Sequence, residues 1–306
     1  MWKAWKTPAG WVYQLTTSGS GNYGGRTDLS NTNKWIFLAQ WQLQIFIYIY
    51  CIFILTNTTI YNEDCLVGMP RIPDKSIDMI LCDLPYGITA CKWDAVIPFK
   101  PLWAEYHRIA KDNAAIVLFS GEPFTSALIS SNIKDFRYHW IWNKGRGSNF
   151  QNARFMPMKC HEEICVFYRR HPTYNPQWWY STPYKATNRK RKNPSEIIGS
   201  GRINDFNISA GSADGRRYPL SILNFPKETK SLHPTQKPVA LLEYLIKTYT
   251  NEGEVVLDNC FGSGSTLVAA VNTNRRYIGF ELEPKYFEIA RERLNGIIST
   301  DAKKAA

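Results

Sequence analysis

Paired cysteines, histidine clusters and an acidic surplus are all missing from this chain of 306 residues. Its seven cysteines, at 51, 65, 82, 91, 160, 165 and 260, include no Cys-x-x-Cys pair and are odd in number. That pattern argues against a disulfide framework and against a zinc site, and it fits a reducing, cytoplasmic setting. Acidic side chains are scarce, 26 Asp and Glu against 37 Lys and Arg, which leaves a formal net charge of +11. A positive surface concentrates polyanions through Coulomb attraction and counterion release, so nucleic acid is the expected partner and membrane lipid the weaker alternative. Internal repeats are lacking too. Apolar residues are plentiful at 44%, which excludes full-length disorder and supplies one sizeable core, hence one main domain with an insertion.

Residues 1–58 read differently from the rest, with a Gly/Ser/Thr-rich start and then Trp35 to Leu55, 21 residues without a charge. That length suffices to span a bilayer. It begins too far from the terminus for a usual signal peptide, however, and Gln40, Gln42 and Gln44 would place three amides in hydrocarbon. Three readings stay open: a membrane anchor, an apolar element packed on the main domain, and a translated upstream stretch without function. The last is the leading one.

From Thr59 onward, short apolar runs alternate with amphipathic stretches, the pattern of a parallel sheet covered by helices. Strands are predicted at Ile77 to Cys82, Ala114 to Ser120, Tyr138 to Asn143, Glu163 to Tyr168, Glu254 to Asp258 and Tyr277 to Glu281. Helices are predicted at Pro101 to Ile109, Thr125 to Asn132, Pro238 to Tyr249, Ser265 to Val271 and Pro284 to Leu294. Between Arg169 and Lys230 the alternation stops, and twelve Lys or Arg stand against four Asp or Glu, interleaved with Trp178, Trp179, Tyr180 and Tyr184. The domain organisation that follows is an extension at 1–58, one half-domain at 59–168, an insertion at 169–230, a second half-domain at 231–298 and a tail at 299–306.

Two segments carry chemistry. The buried-strand pattern Glu254 to Asp258 runs into Asn259-Cys260-Phe261-Gly262-Ser263-Gly264-Ser265-Thr266, a tight glycine turn opening a helix. Such a turn lets a ligand approach backbone amides at a helix N-terminus. Roughly 20 residues on, Glu281 ends the next strand, where an acid can accept hydrogen bonds from ribose hydroxyls. Together they point to an adenosine-containing ligand; alone, the Gly-x-Gly could be a structural turn. The second segment is Asp83-Leu84-Pro85-Tyr86-Gly87, delivered by the strand Ile77 to Cys82 to the carboxyl end of the sheet, where open α/β folds build their sites. An exocyclic amino group on a nucleobase is a poor nucleophile, because its lone pair is delocalised into the ring, and it must be held by acceptors. Asp83 supplies one, the Leu84 carbonyl a second with Pro85 stiffening the turn, and Tyr86 a flat face for an extrahelical base. Read in isolation, the same tetrad is an ordinary strand exit with a capping Asp.

At these residues the chain resembles the amino-methyltransferases of DNA, in the β-type order with the catalytic tetrad ahead of the cofactor loop. The resemblance covers Thr59 to Leu294. It implies a Rossmann-like α/β methyltransferase fold: a mostly parallel twisted sheet, helices on both faces, a circularly permuted motif order and an inserted target-recognition region. It further implies S-adenosylmethionine as cofactor, direct methyl transfer without a covalent enzyme intermediate, and no metal. No cysteine stands in the Pro-Cys context that carbon-5 cytosine enzymes require. Two departures stand out: Leu84 where the family usually has Pro, and Asn259 and Cys260 at the Pro and Phe positions of its cofactor loop. By the resemblance, the catalytic residues are Asp83, Leu84, Pro85 and Tyr86. The cofactor residues are Asp64 in Asn62-Glu63-Asp64-Cys65, near the adenine; Thr235, Gln236 and Lys237 in His233-Pro234-Thr235-Gln236-Lys237-Pro238, beside the methionine moiety; and Asp258, Cys260, Phe261, Gly262, Gly264, Ser265, Thr266 and Glu281. Trp142 and Lys144 resemble the lining of the base pocket, though a Trp ending an apolar strand is as readily plain core.

The insertion falls where this family carries target recognition. Arg189, Lys190, Arg191, Lys192, Arg202, Arg216 and Arg217 are expected to meet phosphates, with a few reaching base edges; a solvated charge run is the plain alternative. The expected activity is site-specific methylation of adenine N6 in double-stranded DNA, since an Asp-headed tetrad accompanies adenine more often than cytosine in this family. Cytosine N4 is the runner-up. A protein or RNA methyltransferase and a non-catalytic DNA-binding relative are more distant alternatives. A cognate restriction enzyme is a possible partner.

Overall fold

In the computed structural model the described residues are 2–7, 10–15, 58–87, 94–183, 214–228 and 236–305. The chain divides into two units at Leu55/Thr56. In the first, strands β1 (Trp2–Thr7) and β2 (Gly10–Leu15) form an antiparallel pair, Trp2 opposite Leu15 and Thr7 opposite Gly10. The apolar segment Trp35 to Leu55 lies outside the described residues. Among the described residues no helix is long and apolar enough to cross a membrane.

The second unit is built on an eight-stranded sheet. Its strands in chain order are β3 (Thr58–Asn62), β4 (Ile77–Asp83), β5 (Ala110–Ser120), β6 (Phe136–Ser148), β7 (Lys159–Phe167), β10 (Ile222–Asn224), β11 (Val255–Asp258) and β12 (Arg276–Glu281). A separate two-stranded ribbon, β8 (Trp179–Tyr180) with β9 (Arg216–Arg217), lies between β7 and β10 in the chain. In space the sheet order is β10-β6-β7-β5-β4-β11-β12-β3. Strands β5, β4, β11, β12 and β3 run parallel; β7 is antiparallel to both β5 and β6. The strand carrying the tetrad is thus the direct neighbour of the strand carrying the glycine loop, although 171 residues of chain number separate Asp83 from Glu254. From β4 the chain moves on to β5 on one side, and from β11 to β12 on the other. The carboxyl ends of β4 and β11 therefore flank a topological switch point, where an open α/β sheet leaves a crevice.

Both faces of the central strands are apolar, so both are covered. Met79 and Leu81 of β4, Val117 and Phe119 of β5 and Val256 of β11 pack with Leu241, Leu242, Leu245 and Ile246 of helix α4 (Val239–Tyr249) and with Leu267 to Ala270 of α5 (Ser265–Asn272). Those α4 positions recur at the spacing that puts one stripe of a helix against a sheet. Residues of the alternate set, Ile80, Cys82, Ile116 and Leu118, are equally buried and point to the opposite face. On that opposite face Trp103 of α2 (Phe99–Ile109) meets the ring of Phe167, with centroids 5.0 Å apart. The remaining helices are short α1 (Cys65–Gly68), α3 (Phe124–Ser131) and α6 (Pro284–Ala305).

Each strand and helix expected from the sequence is present, with shifted ends. Helix α6 runs through to Ala305 where a tail was expected from 299, since no proline interrupts the chain beyond Pro284. Strand β3 was not anticipated: its five residues are too few to show a period, and it sits at the sheet edge beside β12.

Candidate active site

The switch-point crevice is a cleft of about 490 Å³, within the range of small-molecule sites, and both chemical segments line it. At one end is the loop after β11. Gly262 and Gly264 have φ of +54° and +78°, the left-handed region that costs an L side chain about 1–3 kcal/mol. Gly264 also abuts α6, where an added Cβ would stand 2.7 Å from the Cβ of Ala290. The loop is stitched down by Phe261 N–H to the Phe280 carbonyl at 3.1 Å and by Gly264 N–H to the Phe261 carbonyl at 2.8 Å. The Ser263 hydroxyl donates to Gln236 Oε1 at 3.2 Å, so the expected neighbour Gln236 does meet the loop.

Glu281 Oε2 accepts the Gly262 N–H and Oε1 the Glu283 N–H, both at 2.8 Å. The carboxylate thereby fixes the glycine turn while lining the cleft, with lone pairs left for a ligand. Asp64 lines the same end and caps α1 by accepting the Leu66 N–H at 2.7 Å. Cys260, Phe261, Ser265 and Thr266 also line it. Asp258 is buried, and burial raises its pKa to about 6, partly opposed by the Thr266 hydroxyl and the Cys260 N–H at 3.0 Å. Neither partner is a cation. Three carboxylates, Asp64, Asp258 and Glu281, thus line this end of the cleft, beside the glycine turn.

At the other end the tetrad is held by charge. Tyr86 Oη donates to Asp83 Oδ1 at 2.8 Å, and the Tyr86 ring stacks on Phe124 with centroids 5.0 Å apart. Lys237, at the start of α4, pairs its ammonium with Asp83 Oδ2 and lies 3.4 Å from Glu162 Oε2. Glu162 Oε1 in turn accepts from Lys144 Nζ at 2.8 Å. Burial raises Asp83 above the usual carboxylate range, with Lys237 opposing and Glu162 adding. For Glu162, burial is outweighed by Lys237 and Lys144, and its pKa falls. For Lys237, burial is outweighed by Asp83 and Glu162, and its pKa rises. The result is an alternating row, Asp83, Lys237, Glu162, Lys144, in which two buried lysines face two part-buried carboxylates.

Three residues expected at the cofactor or the DNA lie in or beside this row. Lys237, expected at the cofactor, lines the cleft and pairs its ammonium with Asp83. Lys144 was expected at DNA, but it is buried in its pair with Glu162. Trp142 is almost fully buried: its indole N–H donates to the Phe225 carbonyl at 2.8 Å and its ring meets Phe119 edge-on, so it is core that also lines the cleft. Leu84 and Pro85 line the cleft as expected. Arg216 pairs with Asp214 and lies over the Trp178 ring at 5.4 Å, while Arg217 donates to the Thr182 carbonyl at 2.6 Å. Thr235, Arg189 to Lys192 and Arg202 lie outside the described residues.

Two site residues were not anticipated. Glu162 is one; its signal was a carboxylate in period-two register with buried Ile164 and Val166. Asn259 is the other, buried at the loop entrance, where its Oδ1 accepts from Tyr106 Oη at 2.5 Å.

The comparisons agree with this geometry. Residues 77–292 match the family model described as DNA methylase, the family of N6 and N4 enzymes. The chain belongs to that family. Among its relatives are the Type II methyltransferase M.HindIII of Haemophilus influenzae, 25% identical over 302 residues that span 77% of this chain and 94% of that one. Another is the Type II methyltransferase M.HpaI of Haemophilus parainfluenzae, 26% identical over 269 residues, spanning 79% and 76%. Solved structures share the fold: the cytosine-N4-specific PvuII DNA methyltransferase, with a TM-score of 0.54, 14% identity and coverage of 77% of this chain and 86% of that one, and M1.HpyAVI in complex with SAM, with 0.51, 22%, 77% and 99%. The fold is the Rossmann-like α/β fold of DNA methyltransferases, in the tetrad-first order.

Proposed function

We propose that this DNA methylase transfers a methyl group from S-adenosylmethionine to the exocyclic N6 of an adenine turned out of double-stranded DNA at a specific site. The observation that carries the reading is Asp83, held by Tyr86 and Lys237 at the mouth of a cleft whose other end fits the cofactor. The cofactor, when bound, supplies an electrophilic methyl group on a sulfonium. In this reading Glu281 accepts the ribose hydroxyls, Asp64 lies near the adenine and Asp258 faces the ammonium. At the base end, Asp83 accepts from the exocyclic amino group, drawing its lone pair out of the ring, and the Leu84 carbonyl is a second acceptor. The Tyr86 ring offers the stacking face. Lys237 keeps Asp83 an acceptor by favouring its ionised form. Positioning by these groups, rather than covalent catalysis, lowers the barrier.

Adenine is favoured over cytosine by the Asp that heads the tetrad. The Type II names of the relatives support a modification role in the cytoplasm beside a cognate restriction enzyme reading the same site. Phosphate contacts are assigned to the 169–230 segment. The test is incubation with labelled S-adenosylmethionine and plasmid DNA, then chromatography of the nucleosides. Label in N6-methyladenine is expected; label in N4-methylcytosine would overturn the base assignment.

A further inference from the structure

The β6–β7 hairpin carries a feature that neither cleft nor core uses. Between Ser148 and Lys159, which pair across its root, stand Phe150, Phe155, Met156 and Met158, and all four are exposed, the two phenylalanines by 75% and 84%. Four large apolar side chains so close together in water form a patch of the kind that marks an interface. The tip is pinned rather than loose. Asn149 takes the left-handed conformation, a 3-10 turn covers Phe150–Asn152, and the Phe155 and Met156 N–H groups both donate to the Asn152 carbonyl, at 2.9 and 3.0 Å.

Place and charge say what the tip meets. Strand β7 pairs with β5 only as far as Ser120 opposite Glu163, so its earlier residues project past the carboxyl end of the sheet, the end that holds the crevice. A Cβ on Gly121 would lie 2.9 Å from Lys159 Nζ and 4.0 Å from the Tyr86 ring, so the hairpin root and the tetrad's aromatic share one wall. From Gly145 to His161 the chain has Arg146, Arg154 and Lys159 and no acid. An apolar tip flanked by cations, on a hairpin whose root stands near the Tyr86 ring, complements a polyanion with an apolar interior opened at one step.

We propose that this tip is a wedge that enters the DNA duplex beside the target and fills the gap left by the extruded base, Phe150 and Phe155 supplying the stacking surface. The proposal rests on the methyltransferase reading above and deepens it. Wedging by apolar side chains offsets the unstacking that base extrusion requires.

The test uses the full chain and Phe150→Ser/Phe155→Ser. Sequencing of plasmid methylated by the wild type locates the site; synthetic duplexes then carry that site fully paired or with an abasic position opposite the target. The double variant is expected to lose at least about tenfold in kcat/KM on the paired duplex and to recover most of it on the abasic one, where the target is already unpaired. Cofactor affinity by calorimetry stays unchanged, and Phe150→Leu/Phe155→Leu restores part of the rate. Equal rates for variant and wild type on the paired duplex overturn the wedge alone, as does a loss that the abasic duplex does not relieve. A dimeric wild type whose double variant is monomeric, with activity intact, assigns the patch to self-association and also overturns it. A wild type that methylates no DNA overturns the methyltransferase reading, and the wedge with it.

Discussion

The two ends of the cleft are built on different principles. The cofactor end is a backbone device: left-handed glycines, amide hydrogen bonds and a carboxylate, Glu281, that ties the turn it sits beside. The tetrad end is a side-chain device, four alternating charges brought from β4, β6, β7 and the start of α4. Backbone shape tolerates changes of polar side chain but not of conformation. A buried row of charges tolerates neither the loss of a member nor a change in its ionisation.

The sharpest way to break that contrast is Lys237→Met. It leaves Asp83 and Glu162 facing one another in a buried site, so a loss of about 3–5 kcal/mol in unfolding free energy is expected, together with loss of methyl transfer. Urea denaturation and a labelled-methyl assay check it; unchanged stability would mean that the row is not a unit. Gly264→Ala probes the other end. With φ of +78° and Ala290 in the way, it is expected to cost about 1–3 kcal/mol of stability and to weaken cofactor binding by calorimetry. A variant as stable and as tight as wild type would remove the backbone account.

The smallest effect is on pH. Asp258 has a pKa of about 6 in the folded chain, raised by burial. Below that value it is protonated and above it ionised, and the ionised form is the one that attracts an ammonium. Cofactor affinity is therefore expected to be full at pH 7 and to fall about tenfold by pH 5. Asp258→Asn should flatten the profile and bind with the weaker affinity throughout. Affinity that rises as pH falls would contradict the assignment of Asp258 to the cofactor's cationic end.

The same contrast explains what was legible in the sequence. The glycine turn and Glu281 lie within one strand-turn-helix-strand stretch, where spacing alone fixes geometry, so their meeting was legible. The tetrad was legible because its strand presents it. Partners of Asp83 were not: Lys237 is 154 positions away, and Glu162 lies on a strand whose antiparallel direction no local pattern announces. Lys144 and Lys237 were read as base-pocket and cofactor contacts, and their ion pairs went unread because lysine carries no mark of burial until its partner is known. The exposed phenylalanines at 150 and 155 gave no period to read, and only the fold brings the root of their hairpin, at Lys159, near Tyr86. The basic run at 189–202 lies outside the described residues, so its expected DNA contacts remain a proposal carried by charge.

The central claim is that Asp83 performs the chemistry in a cleft whose other end holds the cofactor independently. Labelled methyl transfer from S-adenosylmethionine to plasmid DNA, run beside cofactor calorimetry on wild type and Asp83→Ala, tests it most directly. The account predicts labelled DNA from the wild type, at least about a hundredfold less from Asp83→Ala, and unchanged cofactor affinity. Undiminished transfer by Asp83→Ala would contradict it.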